Sequence, residues 1–467
     1  MIRFDRQWCA LLTLGLSSVG GQAKTVEVKM PNVIFILADD LGIGDLGCYG
    51  QRIIKTPNID RLAADGMKFT NHYSGSTVSA PSRCALLTGK HTGHTYVRGN
   101  KSYRDEDGRI YDLNLPQGET TVAEIFKSKD YVTACIGKWG MGGPQGEGHP
   151  NRKGFDYFYG YLGQANAHRY YPEQLFENGS VVPLHKKSYS HDLIMDKAID
   201  FLNNNAGKPF FLYLTPTIPH ADLAVPDDEL FDYDGEFQET PYPGKGYTKQ
   251  DKPRATFAAM VTRLDRDVKR ITDLLEQKGI SENTMIIFTS DNGTHAEGGH
   301  DPYFFDSNGP FRGIKRDLYE GGIRTPFIVK WPSVVPESSV SFHTSAFWDF
   351  MPTACQLIGA KVPSSCDGIS FFPTLTGKGK QKHHESLYFE FHERGGRRAL
   401  IKDGWKLIQL EVNNPENTVF ELYNLREDPA EIANVITAYP DKKKELLILM
   451  DKARTPNENW KFAFEKD

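Results

Sequence analysis

Two pairs of side chains with oxygen donors, Asp39-Asp40 and Asp291-Asn292, each follow a short apolar run of the chain. Carboxylates that lie uncompensated at the end of a buried strand are costly, so a cation is expected to meet them. Three carboxylates and one amide, with no His or Cys between them, favour Ca²⁺ or Mg²⁺ over zinc. Each pair alone is also typical of a helix cap or a turn. Two pairs in equivalent positions favour a metal site.

A third feature is the segment that begins at Ser79. Pro81 is suited to the first position of a helix and Gly89 to its end, so the segment predicts a short helix. Ser79 then lies at the helix N-terminus and Arg83 one turn further on. Backbone N–H groups and the helix dipole favour an anion at that position. The same pattern is typical of a plain serine cap.

Lys138, His220 and Lys315 follow apolar runs or lie in glycine-containing turns. Taken singly, such a lysine is usually solvated and such a histidine is usually structural. Together with a hard metal ion and a helix N-terminus, these cations would line a pocket for an anionic ester. The pocket would neutralise the charge that develops in the transition state of that ester.

These residues need structural elements that bring them together. The apolar runs at residues 33–37, 132–136, 210–214 and 285–289 show no alternation with polar residues, which indicates strands buried on both faces of a parallel sheet. A helical pattern at 261–275 lies between the last two runs, and strand-helix-strand order is typical of α/β proteins. Ligands of such sheets bind beyond the carboxyl ends of the strands. The polar residues described above follow those ends.

The chain has 467 residues, more than the roughly 250 to 300 over which one hydrophobic core grows, so we expect two domains. Beyond residue 370, short β-prone runs at close spacing and a helix at 442–452 predict a small antiparallel sheet with a helix. The expected division is an α/β domain at 24–370 and an α+β domain at 371–467. A net charge of −5 provides no basic field for nucleic acid, which we therefore exclude as a partner.

Residues 1–23 have the layout of a secretory signal peptide, with Arg3 and Arg6 before the apolar stretch 8–19 and small residues after it. That stretch is too short to span a bilayer. We expect an exported, periplasmic chain without a membrane span, and the alternative is a true start at Met30. The five cysteines outside the signal peptide are scattered along the chain and predict neither a disulfide framework nor a zinc site.

Taken in order, these motifs resemble the sulfatase family in its serine-type form. The resemblance covers the chain from Pro31 to about Pro429 and implies an alkaline-phosphatase-like fold. That fold is a large mixed, mostly parallel sheet flanked by helices, with a smaller C-terminal antiparallel sheet plus a helix. The residues that carry the resemblance are Pro31-Asn32-Val33, Asp39-Asp40, Pro57-Asn58-Ile59-Asp60, Ser79-x-Pro81-Ser82-Arg83 with Leu87-Thr88-Gly89, Gly137-Lys138-Trp139, Thr289-Ser290-Asp291-Asn292-Gly293, Tyr319-Glu320-Gly321-Gly322-Ile323-Arg324-Thr325-Pro326, Leu422-Tyr423-Asn424-Leu425 and Asp428-Pro429.

The resemblance implies a sulfuric ester hydrolase in which Ser79 is oxidised to formylglycine. A serine-type radical maturase would make this change before export, and the hydrated aldehyde would supply the nucleophile. A sulfated serine would be a stable ester, whereas a sulfated diol can expel sulfate by collapsing to the aldehyde. The ligands implied for Ca²⁺ are Asp39, Asp40, Ser79, Asp291 and Asn292.

The resemblance also implies roles for the cations. Arg83 and Lys138 would stabilise the diol and the sulfate, and Lys315 would bind the sulfate. His220 would protonate the leaving sugar oxygen. Many relatives carry a histidine two residues after the lysine that corresponds to Lys138, where this chain has Gly140. His94 is the candidate substitute for that histidine.

The substrate implied is a sulfated saccharide of host glycans such as glycosaminoglycans or mucins. His168 and Arg169 lie between the common motifs, in a loop whose donors could fix sugar hydroxyls. The loop resembles that of bacterial sulfatases acting on galactose or N-acetylgalactosamine. We therefore expect an exo-acting enzyme that removes a terminal sulfate, from O6 in preference to O4.

Two alternatives stay open. A phosphomonoesterase or phosphotransferase of the same superfamily would use Ser79 directly and would need a second metal ion with histidine ligands. Asp291-x-x-x-His295 has a spacing suited to two ligands of a second metal ion. The sequence contains no Asp followed directly by His that would complete the ligand set. The second alternative is a catalytically silent protein that binds sulfated glycans, which would result if Ser79 stayed unmodified.

Overall fold

The structure is a computed structural model that describes residues 30–104, 108, 110–226, 230 and 232–465. The signal peptide expected at residues 1–23 lies outside the described residues. Among the helices that the structure describes, none is long and apolar enough to cross a membrane.

Strands make up a large sheet, two small pairings and a C-terminal sheet. In chain order the strands are β1 Asn32–Ala38, β2 Met67–Phe69, β3 His72–Tyr73, β4 Ser102–Arg104, β5 Ile110–Asp112, β6 Val132–Lys138, β7 Tyr157–Tyr161, β8 Gln174–Glu177, β9 Ser180–Pro183, β10 Phe210–Thr215, β11 Thr284–Ser290, β12 Phe327–Lys330, β13 Ser339–Ser341, β14 Ser345–Ala346, β15 Leu387–Phe391, β16 Arg397–Lys402, β17 Trp405–Leu410 and β18 Val419–Asn424. The α-helices are α1 Pro57–Ala64, α2 Ser79–Thr88, α3 Val122–Lys127, α4 Ser190–Asn205, α5 Pro253–Gln277, α6 Glu320–Ile323, α7 Phe350–Ile358, α8 Phe372–Thr376 and α9 Pro440–Lys452.

The large sheet has the strand order β13-β2-β12-β11-β1-β10-β6-β7-β8-β9. Its centre is parallel, because β1 pairs in parallel with β10 and β11, and β6 pairs in parallel with β10 and β7. Strands β12 and β8 join this centre in the antiparallel direction. The four apolar runs in the sequence are thus neighbouring strands of a mixed, mostly parallel sheet, as expected.

Helices cover both faces of the large sheet, and alternate residues of each central strand face opposite layers. In β1, Ile34 and Ile36 pack into the layer that contains α1, α4 and α5. Val33, Phe35 and Leu37 pack into the layer that contains α2, α3, α7 and α8. Because both faces are covered, every residue of β1 is buried. This explains why its sequence lacks polar alternation.

The C-terminal part is an antiparallel sheet in the order β15-β16-β17-β18. Leu446 and Met450 of α9 pack on one of its faces, and the other face packs against the large domain through Phe389 and Trp348. The expected small sheet plus helix is therefore confirmed. Leu375 of α8 still belongs to the core of the large domain. The new sheet begins at Leu387, later than the boundary expected at residue 370.

A buried ion pair connects the two parts, and its loss should destabilise the fold. Lys406 Nζ of β17 lies 2.9 Å from Glu320 Oε1 of α6 and 2.8 Å from Glu431 Oε1, and all three side chains are fully buried. Breaking such a pair leaves a buried charge without its partner. Lys406→Met should lower the free energy of unfolding by about 3 kcal/mol in urea denaturation. The matched control is Lys402→Met, whose partners Glu385 and Glu445 are exposed and whose loss should cost less than about 1 kcal/mol. Equal effects of the two variants would contradict the prediction.

Candidate active site

The carboxyl ends of four parallel strands bring the polar residues of the sequence motifs together. Asp39 and Asp40 follow β1, Lys138 is the last residue of β6, and His220 lies beyond β10. Asp291 and Asn292 follow β11 in the same way. All of these residues are buried. The crevice that α/β sheets use for ligands is therefore lined here with charged side chains.

The acidic residues form a compact group of oxygen donors. Carboxylate oxygens of Asp39, Asp40 and Asp291 lie within 4.8 Å of one another. Asn292 Nδ2 donates to Asp40 Oδ1 at 2.7 Å, whereas Asn292 Oδ1 is buried and accepts no hydrogen bond from the described residues. Three carboxylates and an unpaired amide oxygen match the oxygen ligands that Ca²⁺ prefers. The residues present thus fit the expected calcium ion.

Three buried cations neutralise these carboxylates. The pairs are Lys138 Nζ with Asp39 Oδ2 at 2.7 Å, Lys315 Nζ with Asp40 Oδ2 at 2.7 Å, and Arg83 Nη2 with Asp291 Oδ2 at 2.8 Å. Burial alone would raise the pKa of Asp39, but the charges of Lys138, His220 and Arg83 hold it well below its usual range. Burial and the carboxylate of Asp39 raise the pKa of Asp291 to about 6.

Ser79 uses its hydroxyl inside this group and does not cap its helix. It is the first residue of α2, and the residue before it, Val78, makes no side-chain cap. Ser79 Oγ donates to Asp39 Oδ1 at 3.0 Å and accepts from Lys138 Nζ at 3.2 Å. The plain serine cap is thus not what the structure shows at this position. Pro81 is the third residue of the helix, not the first.

Lys315 and His220 form a second group beside Asp40. Lys315 Nζ donates to His220 Nε2 at 2.9 Å, and His220 Nδ1 donates to the carbonyl of Ala221. Burial and the charge of Lys315 hold the pKa of His220 well below its usual value. The hydrogen bond from Nδ1 fixes the ring, so Nε2 is the atom that faces the site.

Glu297 is a member of this group that the sequence analysis missed. Its Oε2 lies 3.4 Å from Lys315 Nζ and 3.7 Å from His220 Nε2, and Arg316 pairs with its other oxygen. Burial would raise the pKa of Glu297, but the charges of Lys315 and Arg316 lower it. Its position two residues after His295, in the loop that begins with the Asp291 motif, was the available indication.

The structure places His168 and Arg169 at the edge of the site. The ring of His168 stacks on that of His220 with a centroid distance of 4.1 Å, and burial, with Lys138, lowers the pKa of His168 to about 3. Arg169 pairs with Asp222 at 2.9 Å. It lines a cavity of about 600 Å³ together with Tyr161, Tyr171, Asp222 and Thr248.

His94 does not join this group, which corrects the expectation that it substitutes for a histidine at position 140. Its Nδ1 lies 2.9 Å from Asp367 and its ring contacts that of His91. Gly140 has a φ of +81°, and a β-carbon at this position would overlap the side-chain amide of Gln164. The space beside Gly140 is therefore filled by Gln164.

Comparisons with known proteins agree with this geometry. The family model described as Sulfatase matches residues 31–360, and the model described as N-sulphoglucosamine sulphohydrolase, C-terminal, matches residues 311–454. N-acetylgalactosamine-6-sulfatase of Canis lupus familiaris is 32% identical over 79% of this chain and 70% of the relative. N-acetylglucosamine-6-O-sulfatase of Bacteroides thetaiotaomicron is 26% identical over 95% of this chain and 89% of the relative. The crystal structure of Ps i-CgsB in complex with k-i-k-neocarrahexaose superposes with a TM-score of 0.78 at 28% identity, covering 94% of this chain and 96% of that chain.

Proposed function

The chain belongs to the sulfatase family and hydrolyses sulfate esters of carbohydrates, and from this premise we propose a specific substrate. It is a terminal galactose or N-acetylgalactosamine of a host glycan, such as a glycosaminoglycan or a mucin, sulfated at O6 in preference to O4. The main support for this chemistry is the position of Ser79 at the start of α2. Its Oγ lies 3.0 Å from Asp39 Oδ1 and 3.2 Å from Lys138 Nζ. The names of two relatives, both 6-sulfatases, support position O6.

We propose further that a serine-type radical maturase converts Ser79 to formylglycine before export to the periplasm. A hydrated aldehyde supplies a nucleophile whose sulfate ester can break down by release of sulfate. Calcium, held by Asp39, Asp40, Asp291 and Asn292, would supply positive charge at the sulfate. The buried pairing of Lys138 with Asp39 holds the lysine so that its Nζ also donates to Ser79 Oγ at 3.2 Å.

The charge of the site supports a singly charged ester as substrate. Three buried carboxylates face three buried cations, so a bound divalent ion would leave about two positive charges for the ligand. A sulfate monoester carries one negative charge, and the remaining positive charge favours its binding and the charge that develops on its oxygens. We propose that Arg83 and Lys315 contact those oxygens.

The second-metal site that a phosphomonoesterase needs is filled by a lysine. Asp40, His295 and Glu297 lie close enough to hold a metal ion, but Lys315 Nζ contacts Asp40 and Glu297 itself. Both ring nitrogens of His295 are engaged, since Nε2 donates to the Pro219 carbonyl at 3.1 Å and Nδ1 accepts from the Glu297 backbone at 3.0 Å. This arrangement favours sulfate over phosphate chemistry.

We propose that His220 Nε2 takes a proton from the Lys315 ammonium, which donates to it at 2.9 Å, and passes a proton to the leaving sugar oxygen. His220 Nε2 faces the site because Nδ1 is bound to a backbone carbonyl. The carboxylate of Glu297, 3.7 Å from Nε2, would stabilise the charged ring. General acid catalysis of this kind contributes roughly 10²- to 10⁴-fold to a reaction rate.

We propose that the loop containing Arg169 determines which sugar the enzyme accepts. Its guanidinium is half exposed, and it is oriented by Asp222 at 2.9 Å and Thr248 at 3.1 Å. Donors built to pair with an axial O4 are left unpaired by the gluco epimer, which lowers its kcat/KM. We expect matured enzyme to prefer 6-sulfated over 4-sulfated N-acetylgalactosamine, and both over 6-sulfated N-acetylglucosamine, when sulfate release is measured.

Arg169→Ala should reduce the preference for the galacto over the gluco sugar by roughly 10-fold or more. The control is Arg270→Ala, because Arg270 is also half exposed and paired with aspartates but lies on α5. Its preference should match that of the parent enzyme. An unchanged preference in Arg169→Ala, or equal rates of the parent on both 6-sulfated sugars, would remove the basis for this substrate assignment.

A further inference from the structure

The geometry points to Gln164 as a further substrate-binding residue. We propose that its side-chain amide donates a hydrogen bond to an oxygen of the bound sulfate group. This inference rests on the proposed function and adds to the same site a residue that belongs to none of the motifs described above.

Gln164 lies at the edge of the sheet that carries the site. Strands β6 and β7 are parallel neighbours, and Lys138 pairs in register with Tyr161. The chain segments that follow the two strands stay together, because the backbone N–H of Gly140 donates to the Leu162 carbonyl at 3.0 Å. Gln164 therefore stands just beyond β7, next to the turn that begins with Lys138. Lys138 Nζ in turn lies 3.2 Å from Ser79 Oγ.

The position of Gln164 is held without the use of its side-chain amide. Its backbone N–H donates to Asp112 Oδ2 at 2.6 Å, and its carbonyl accepts from the Ala167 N–H at 3.1 Å. Gly140 leaves the space that the carboxamide occupies, since a β-carbon at 140 would overlap its nitrogen. The backbone contacts and the close fit to Gly140 thus fix the carboxamide in place.

The side-chain amide nitrogen of Gln164 makes no hydrogen bond to the described residues and can donate one to a ligand. Gln164 is only 9% exposed, and its Nε2 is buried with no hydrogen-bond partner among the described residues. A buried donor without an acceptor is costly and calls for a partner. Lys138, two residues before Gly140 in the chain, is itself a donor, so it cannot satisfy this amide. An anionic sulfate oxygen beside residue 79 has free lone pairs and suits both groups.

Binding measured on Ser79→Ala protein tests this inference, because that background cannot turn over its ligand. The first probe is 6-sulfated N-acetylgalactosamine, whose binding is measured by isothermal titration calorimetry. The second probe is inorganic sulfate, which is measured by its competition with the sugar. Gln164→Met keeps the length of the side chain and removes its donors, and it should weaken both probes about 10-fold. Gln164→Glu adds a negative charge and should weaken both probes further. The control Gln277→Met, at the exposed end of α5, should bind like the parent.

Unchanged binding of both probes by Gln164→Met, with a melting temperature equal to that of the parent, would overturn the inference. Weaker binding of the sugar with unchanged binding of inorganic sulfate would overturn it as well, because the contact would then be to the sugar. Either result leaves the proposed function intact, provided that the parent binds the sulfated sugar. If the parent protein binds neither probe, the proposed function fails together with this inference.

Discussion

Replacement of Ser79 by alanine is expected to abolish sulfate release from 6-sulfated N-acetylgalactosamine, with a loss of roughly 10⁴-fold or more. Among the described residues, Ser79 carries the hydroxyl that contacts both Asp39 and Lys138, so we expect no neighbouring group to replace it. The fold should persist, because one buried hydroxyl is exchanged for a hydrogen in a helix. Far-UV circular dichroism and the melting temperature check that persistence.

Ser190→Ala is the matched control, because Ser190 is also a buried serine and the first residue of its helix, α4. Its activity should stay within a few-fold of that of the parent. If Ser79→Ala keeps activity within 10-fold of the parent, residue 79 is not the nucleophile.

Exhaustive chelation is expected to abolish turnover, and added Ca²⁺ should restore it. Without a divalent ion, the sulfate loses the positive charge that would neutralise it and hold it beside residue 79. A ligand that binds only the folded state at 100 times its Kd stabilises it by about 2.7 kcal/mol. Ca²⁺ should therefore also raise the melting temperature.

Asn292→Ala should lose the shift in melting temperature, because it removes the buried amide oxygen that has no protein partner. The control Asn283→Ala, which removes one hydrogen bond to the Met30 carbonyl, should keep the calcium-dependent shift. Full activity after chelation, or zinc in stoichiometric amount by elemental analysis, contradicts a calcium site.

The sequence predicts that the strand ends meet at one edge of the sheet, because buried strands can be recognised from their composition. A strand covered on both faces must be apolar along its whole length, so the runs at β1, β6, β10 and β11 stand out, and the first polar residues after them mark the carboxyl edge of the sheet. The C-terminal antiparallel sheet is visible for a related reason, since its strands are short and closely spaced. The strand order within the large sheet does not follow from such patterns, because it depends on which helices cross over which strands.

Residues in loops were harder to place, since no periodic pattern marks them. Glu297 and Gln164 are polar side chains in irregular segments, and their importance comes from contacts with Lys315 and Gly140 that are distant in the chain. His94, by contrast, was predicted to lie in the site and does not. It follows α2 closely in sequence, but the chain turns away from the site and directs its ring to Asp367.

The segment just after the predicted domain boundary at residue 370 packs on the large sheet, and composition does not reveal this. Proline, serine and glycine become frequent after residue 363, which is typical of a linker. The structure nevertheless packs Phe371 and Leu375 into the large core. A few apolar side chains are enough to hold such a segment on the first domain, and composition alone does not reveal them.

Mass spectrometry of the peptide that contains Ser79, isolated from a host with a serine-type maturase, is the most direct test of the proposed formylglycine. We predict that residue 79 is lighter by two hydrogen atoms than serine and that this protein releases sulfate from the 6-sulfated sugar. Protein from a host without the maturase should fold and carry unmodified Ser79 but release no sulfate. Unmodified serine in protein from the competent host would contradict a formylglycine nucleophile and favour a protein that binds sulfated glycans without hydrolysing them.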